Sequence, residues 1–237
     1  NKKFGMFYTI FTPIAKLTWE HASSIIANSQ GLKKLAMKTL STKKIKIIPN
    51  GVDTKLFKPI PNKKKFGKFT VTAGGTVMGP KKGLQYLIKG FANFHDTHPN
   101  SQLLLMGSGS MEEELKELVK RLDISKAVRF TGTLDHSDVA SLLPKCHVMC
   151  LPSLSEGMSN AVLEAAACGL PLVLTDVGGT EELLKNNGMI IQKCSAGEIV
   201  LSLLKLNDNQ KERLFFSKNS RKIAMTMSWS KVAMSYQ

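Results

Sequence analysis

The sequence predicts an α/β domain, a doubly wound parallel sheet with helices on both faces. Three observations carry this. From about residue 69, short apolar runs alternate with longer amphipathic ones. Several of the short runs are apolar throughout, as buried parallel strands require. The longer segments open on residues that cap helices. A chain of 237 residues with 43% hydrophobic and 22% charged residues can bury a core without crosslinks. That composition excludes a disordered chain and a multi-span membrane protein.

The strands read as Phe69–Ala73, Gln102–Met106, Ala127–Thr131, Val148–Leu151, Leu172–Leu174 and Met189–Ile191. Helices are expected at 84–97, 111–122, 136–145, 160–168, 181–186 and 197–206. Ser110 and Glu113 have the spacing of a capping box, and Asp135 and Thr180 stand where N-caps belong. Strand–helix units with right-handed crossovers place a ligand at the carboxyl ends of the strands. Residues 1–50 fit this repeat less well. They offer a helix near Ile14–Ala22, a strand at Ser24–Ala27, a basic helix at Gly31–Leu40 and a strand at Lys46–Ile48. That is one βαβ piece, too small to bury a core alone. Pro49-Asn50-Gly51 is a turn signal, Pro59 to Lys68 reads as a linker or exposed loop, and Trp229 to Tyr236 as a short amphipathic helix.

The formal charge of +15 is unevenly spread. Residues 1–68 hold 15 lysines against Glu20 and Asp53, whereas residues 69–237 hold 18 basic against 16 acidic residues. Only Arg121, Arg129, Arg213 and Arg221 are arginines. A lysine excess suits diffuse attraction to anionic surfaces, not the bidentate reading of bases, so no specific nucleic-acid partner is expected. Cys146, Cys150, Cys168 and Cys194 are too few for a disulfide scaffold, and no second ligand pair makes a metal site with His147. They read as buried free thiols of a reducing compartment. The Asn1-Lys2-Lys3 start before an apolar run has the outline of a signal peptide, but Thr9, Thr12 and Pro13 interrupt it. No run reaches the ~20 apolar residues of a membrane span. His95, His98, His136 and His147 lack triad-like partners, which argues against nucleophilic hydrolysis.

The most informative stretch runs from Ser155-Glu156-Gly157-Met158-Ser159-Asn160 through Glu164 to Pro171. Small and capping residues after a strand leave backbone N–H groups free at a helix N-terminus, which favours an anion. Glu164 shares the Asn160 face four residues on, ~6–8 Å along the helix at 1.5 Å per residue. That is about one ribose from a diphosphate at the N-terminus, and a carboxylate there can accept from both ribose hydroxyls. Taken alone, two glutamates eight positions apart are more readily a cap and a solvated helix residue, and Lys82 is more readily a solvated charge before a helix.

The stretch has ordered company: Ile48 to Pro59, Gly75 to Gly83, Gly107-Ser-Gly109, Val128 to Gly132 and Asp176 to Glu182. This series, over roughly residues 19–236, closely resembles the retaining GT-B glycosyltransferases of group 1, also catalogued as family 4. The resemblance implies the Rossmann-like C-terminal half of that fold. Residues 1–52 would be a remnant of the N-terminal acceptor domain and a linker, that domain being largely missing. Residues 53–225 would be the donor domain, and 226–237 a helix crossing back. It further implies that Glu164 holds the nucleotide ribose and that Glu156 stands near the donor sugar. The backbone of Gly157, Met158, Ser159 and Asn160 would receive the diphosphate, Lys82 would neutralise it as it leaves, with Lys81 as substitute, and Thr131 and Gly132 would meet the base. The family's usual Arg is absent, the pair here being Gly75-Thr76.

The implied activity is transfer of a sugar, of the hexosyl kind, from a nucleoside-diphosphate sugar to an acceptor hydroxyl with retention, in surface polysaccharide or glycolipid synthesis. No metal and no cofactor are expected, and no Asp-x-Asp motif occurs. The acceptor, a sugar or lipid-linked sugar, would be met through the missing domain, so the fragment by itself is expected to be inactive. The implied location is cytoplasmic, peripheral on the inner face of the cell membrane, where the basic first quarter would face anionic lipid. The competing reading is a non-catalytic nucleotide-binding module on the same fold, which Thr76 in place of Arg would suit.

Overall fold

The computed structural model describes residues 2–39, 44–61 and 64–236, with side chains left aside for residues 2–11, 39 and 75–77. Six parallel strands form one sheet: β3 (Phe69–Val77), β4 (Ser101–Ser108), β5 (Val128–Phe130), β6 (Val148–Leu151), β7 (Leu172–Thr175) and β8 (Gly188–Ile191). Their order is β5-β4-β3-β6-β7-β8. The chain starts in the middle, winds to one edge, returns and winds to the other, which is the dinucleotide-binding topology. Val71 of β3 pairs with Leu103 on one side and Val148 on the other. Beyond that level β3 and β6 lead into helices on opposite faces, so their carboxyl ends open a crevice.

Composition explains the layering. β6 and β7 are buried at every position, so both faces must be covered. On one face α3 (Leu84–Thr97) packs against α4 (Glu112–Arg121) and α8 (Ala196–Asp208), burying Leu87, Ile88, Phe91 and Phe94. On the other, α6 (Asn160–Ala167) packs against α9 (Gln210–Thr226). Leu163 of α6 is fully buried, a contribution of about 1.5–3 kcal/mol relative to exposure. α5 (His136–Leu142) passes through a 3-10 turn, Leu143–Lys145, into β6, and α7 (Thr180–Leu183) links β7 to β8.

The expected elements are present, with corrections at the caps. Asp135 caps α5, its carboxylate accepting from the Asp138 N–H at 2.8 Å. The Ser110 capping box is not made: α4 starts one residue later, after Met111, with no side-chain cap. Thr180 is not an N-cap either; Gly179 holds that position, and the Thr180 hydroxyl donates to the backbone carbonyls of Thr175 and Val177. α9 is not among the expected helices. Its buried stripe is only Phe216, Ser220 and Ala224, and the serine breaks the apolar pattern. Buried Ser220 instead donates to the Leu170 carbonyl at 2.6 Å.

At the start, α1 (Lys2–His21) is longer than expected and runs through Pro13. β1 (Ile25–Ala27) and β2 (Ile45–Ile47) pair in parallel around α2 (Gln30–Thr39), the βαβ piece expected, with Leu40 outside the described residues. No described helix is long and apolar enough to cross a membrane. The loop before β3 is not simply exposed, because Lys65 donates to the carbonyls of Pro144 and Cys146. Of the four thiols Cys194 is exposed, against expectation; the other three are buried. α10 (Trp229–Met234) is where it was expected, and its apolar partner is the turn after β2. Val52 and Ser228 form a parallel bridge, and the Trp229 ring lies where a Cβ on Gly51 would stand.

Candidate functional site

The crevice at the carboxyl ends is built from glycines upward. Gly83, in the left-handed region at φ 66°, ends the 3-10 turn Pro80–Lys82 and starts α3. A Cβ there would run into the Pro152 carbonyl oxygen, so only glycine lets the Lys82 turn lie against the loop that follows β6. Gly178, at φ 49°, does the same from the other side, its Cα lying against the carbonyls of Glu156 and Gly157. The Gly179 N–H then donates to the Gly157 carbonyl. Two close backbone approaches thus hold the loop 152–159 in place.

Within that loop the Lys82 ammonium meets Glu156 Oε1 at 2.5 Å, both partly buried, and the Ser153 hydroxyl donates to the same oxygen at 3.0 Å. The loop ends at Ser159, the N-cap of α6, whose side chain makes no capping bond. No acceptor is found among the described residues for the N–H groups of Asn160, Ala161 and Val162, a full first turn open to an anion. Met158 is buried, and its carbonyl and sulfur both accept from Asn50. Lys81 is exposed beside Lys82. Gly75 and Thr76 end β3 where its register with β4 shifts, and the Thr76 side chain lies outside the described residues.

One turn along α6, Glu164 enters a cleft of about 750 Å³, its open mouth included, walled by Gly74, Met106, Gly107, Thr133, Leu134 and His136 together with Asn160. Burial pushes the Glu164 carboxyl above its ordinary range, partly offset by His136. No hydrogen-bond donor reaches it among the described residues. It is an acceptor held half out of water without a partner. Across the cleft, Gly107 donates to the Gly132 carbonyl at 3.0 Å and Thr131 donates to Leu105 at 3.0 Å. The Thr131 carbonyl has no backbone partner among the described residues, while Gly132 is held to Gly107 in an isolated antiparallel bridge. Gly132 has open space around its Cα.

The predicted residues therefore fall into two groups. Glu164 and Asn160 share the large cleft, with Gly132 at its rim beside Thr133. Glu156, Gly157 and Ser159 line a smaller one of about 250 Å³ together with Ser153 and Thr175. The α6 N-terminus joins the two. Sequence reasoning missed Asn50. Its amide donates to the Met158 carbonyl at 3.2 Å and to Asn160 Oδ1 at 2.7 Å, and its own Oδ1 accepts from Asn28 at 3.2 Å. It also missed Glu182, which accepts from the Gln30 N–H at the start of α2 at 2.6 Å. Both had signals, a turn asparagine and a paired acid after Gly-Gly, but the partners Met158, Asn160 and Gln30 are more than 100 residues away in sequence. Among the described residues no group of three or more His, Cys, Asp or Glu is arranged to hold a metal.

Comparisons agree with this geometry. The family model for glycosyl transferases of group 1 matches residues 57–223. A phosphatidylinositol N-acetylglucosaminyltransferase subunit of Arabidopsis thaliana is 30% identical over 166 residues, which is 70% of this chain and 37% of the relative. The chain thus spans well under two thirds of that relative's length. Among solved structures, Anabaena HepE in complex with UDP-glucose superimposes with a TM-score of 0.84 at 22% identity, covering 94% of this chain and 65% of that one. The C-terminal domain of the group 1 protein LpcC from Francisella tularensis gives 0.66 at 24% identity, covering 74% of this chain and 97% of that domain. A six-stranded Rossmann-like sheet matching the C-terminal half of the GT-B fold and a family match over residues 57–223 lead to one assignment: the chain belongs to the group 1 glycosyltransferases.

Proposed function

We propose that this chain binds a nucleoside-diphosphate sugar and that, within the whole protein, it donates the sugar to an acceptor hydroxyl with retention at the anomeric carbon. The observation that carries the reading is the partnerless Glu164 carboxylate one helical turn from the open N–H groups of α6. A nucleoside diphosphate answers both at once: its phosphates accept from the helix N-terminus, and its ribose hydroxyls donate to Glu164. The Thr131 carbonyl offers the base edge an acceptor.

Lys82 stabilises charge growing on the leaving diphosphate, and in this structure Glu156 holds that ammonium in waiting. When the diphosphate takes Lys82, Glu156 is released toward the donor sugar, with Lys81 close enough to add a second charge. The leaving phosphate deprotonates the acceptor on the face it departs from, which gives retention without a protein nucleophile. The phosphatidylinositol named in the Arabidopsis relative and the UDP-glucose bound to HepE support a hexosyl donor and a lipid-linked acceptor in glycolipid or polysaccharide synthesis. Residues 1–52, rich in lysine, would lie on the acceptor side, near anionic lipid at the inner face of the membrane. Residues 53–225 would be the donor domain, with α10 (Trp229–Met234) as the helix that returns.

Calorimetry with UDP, GDP and ADP tests the reading. At least one nucleotide should bind the parent chain, and Glu164→Ala should weaken it by about tenfold or more, the loss of a charge-assisted pair of bonds. Equal binding by parent and variant would overturn the ribose assignment.

A further inference from the structure

A second cavity lies at the amino end of the sheet, remote from the donor crevice. It measures about 590 Å³ with its mouth and is lined by Lys65, His147, Gln210, Arg213 and Ser217 against Pro171; no Asp or Glu is among its lining residues. Phe69 floors it. The Phe69 ring centroid is 5.5 Å from that of His147, and the Arg213 guanidinium lies 5.6 Å over the same ring. Lys65, His147 and Arg213 thus share one cavity with no carboxylate in its lining, and His147 and Arg213 both pack on the Phe69 ring.

Each also has donors to spare. Lys65 uses two of its N–H groups on the carbonyls of Pro144 and Cys146, which leaves one. Arg213 spends Nη1 on the carbonyls of Leu206 and Asn207, which leaves Nε and Nη2. His147 Nδ1 accepts from the Thr70 N–H at 3.1 Å, so the ring proton of neutral His147 sits on Nε2. Burial lowers the pKa of Lys65 and of Arg213, and holds His147 down to about 4 with both cations adding to the effect. Charge gathered in this way without a counter-ion costs free energy that an anion would return.

We propose that this cavity is an anion site that binds a phosphoryl group, either free phosphate or a small phosphate ester, between Lys65, His147 and Arg213. A tetrahedral oxyanion has acceptors for donors arriving from three directions, and the open side of the Arg213 fork suits two of its oxygens. Pro171 and Leu214 give the rest of an ester an apolar wall. α9 links the cavity to α6. It carries Gln210, Arg213 and Ser217 at the cavity, and farther along its Arg221 donates to the Ala167 carbonyl at the end of α6.

The test is calorimetry of this chain with inorganic phosphate and with a hexose 6-phosphate at constant ionic strength, without and with saturating UDP. At least one should bind and should still bind with UDP present. Gln210→Glu adds a repelling carboxylate at an exposed position on the cavity wall, at a helix start where an acid is favoured. It should weaken binding by about tenfold or more while circular dichroism stays as in the parent. Arg213→Gln should abolish binding. Stronger binding of free phosphate names the ion as ligand, and stronger binding of the hexose phosphate names an ester. No heat with either ligand, heat lost on adding UDP, or heat unchanged in Gln210→Glu would overturn the proposal.

Discussion

Glu164 is costly to the fold that holds it. Its carboxyl titrates above the ordinary range because burial disfavours the charge. A raised carboxylate pKa means the folded state holds its proton more tightly than the unfolded one, so stability falls as pH rises through that window. Glu164→Gln should therefore raise the Tm of the chain at neutral pH without nucleotide, by about 2–4 °C for each 1 kcal/mol relieved, while weakening nucleotide binding. Calorimetric melting of both proteins, with and without UDP, checks the two signs together. In the parent, nucleotide affinity should drop on acidification at a higher pH than an ordinary glutamate would give. Gly83 is a second single-residue test. Gly83→Ala forces a side chain into the left-handed region, about 1–2 kcal/mol, and into the Pro152 carbonyl. Its loss in urea denaturation should exceed the backbone cost alone. Glu164 was legible in the sequence because the signal is local, four residues from Asn160 on one helix. Asn50 was not, since nothing in Pro49-Asn50-Gly51 says which carbonyl its amide will find.

Elements were most legible where burial is total. The fully buried β6 and β7 left no polar residue to blur the pattern. α9 failed for the opposite reason: it exposes Leu214 and Phe215 and buries Ser220. Ser220 sits between two demands, donating to the Leu170 carbonyl and accepting from the Asn187 amide at 3.2 Å. Ser220→Ala strands both partners, and urea denaturation should show a loss of about 1–3 kcal/mol. Caps were misread at α4 and α7 because a hydroxyl near a helix start has competing acceptors. Thr180 takes the carbonyls of the turn before it instead of capping the turn after.

Across the whole molecule the acid limb of stability should be set in part by His147. Its pKa falls from 6.5 to about 4 on folding, so it is neutral when folded and the unfolded chain takes up the proton first. The stability it contributes is complete above about pH 6.5 and is lost as the pH falls toward 4. Urea midpoints measured across that range should decline, and more gently in His147→Gln. The charge asymmetry was plain from composition, but its structural meaning was not. The points at which the first βαβ piece and its turn meet the rest include Gln30 on Glu182, Gly31 beside Gly178, where a Cβ would come within 2.6 Å of the carbonyl oxygen, and the Asn50 amide on Met158 and Asn160. Asn50 makes the link mechanical. The turn that carries it joins the first βαβ piece to the remainder of the chain, and the same side chain grips the first residue of α6. Any swing of one part about that turn must either stretch the bonds to Asn160 or drag the helix start with it. The joint and the start of α6 are therefore tied through one side chain, and on the proposed reading a swing at the turn would also shift the amides that meet the diphosphate.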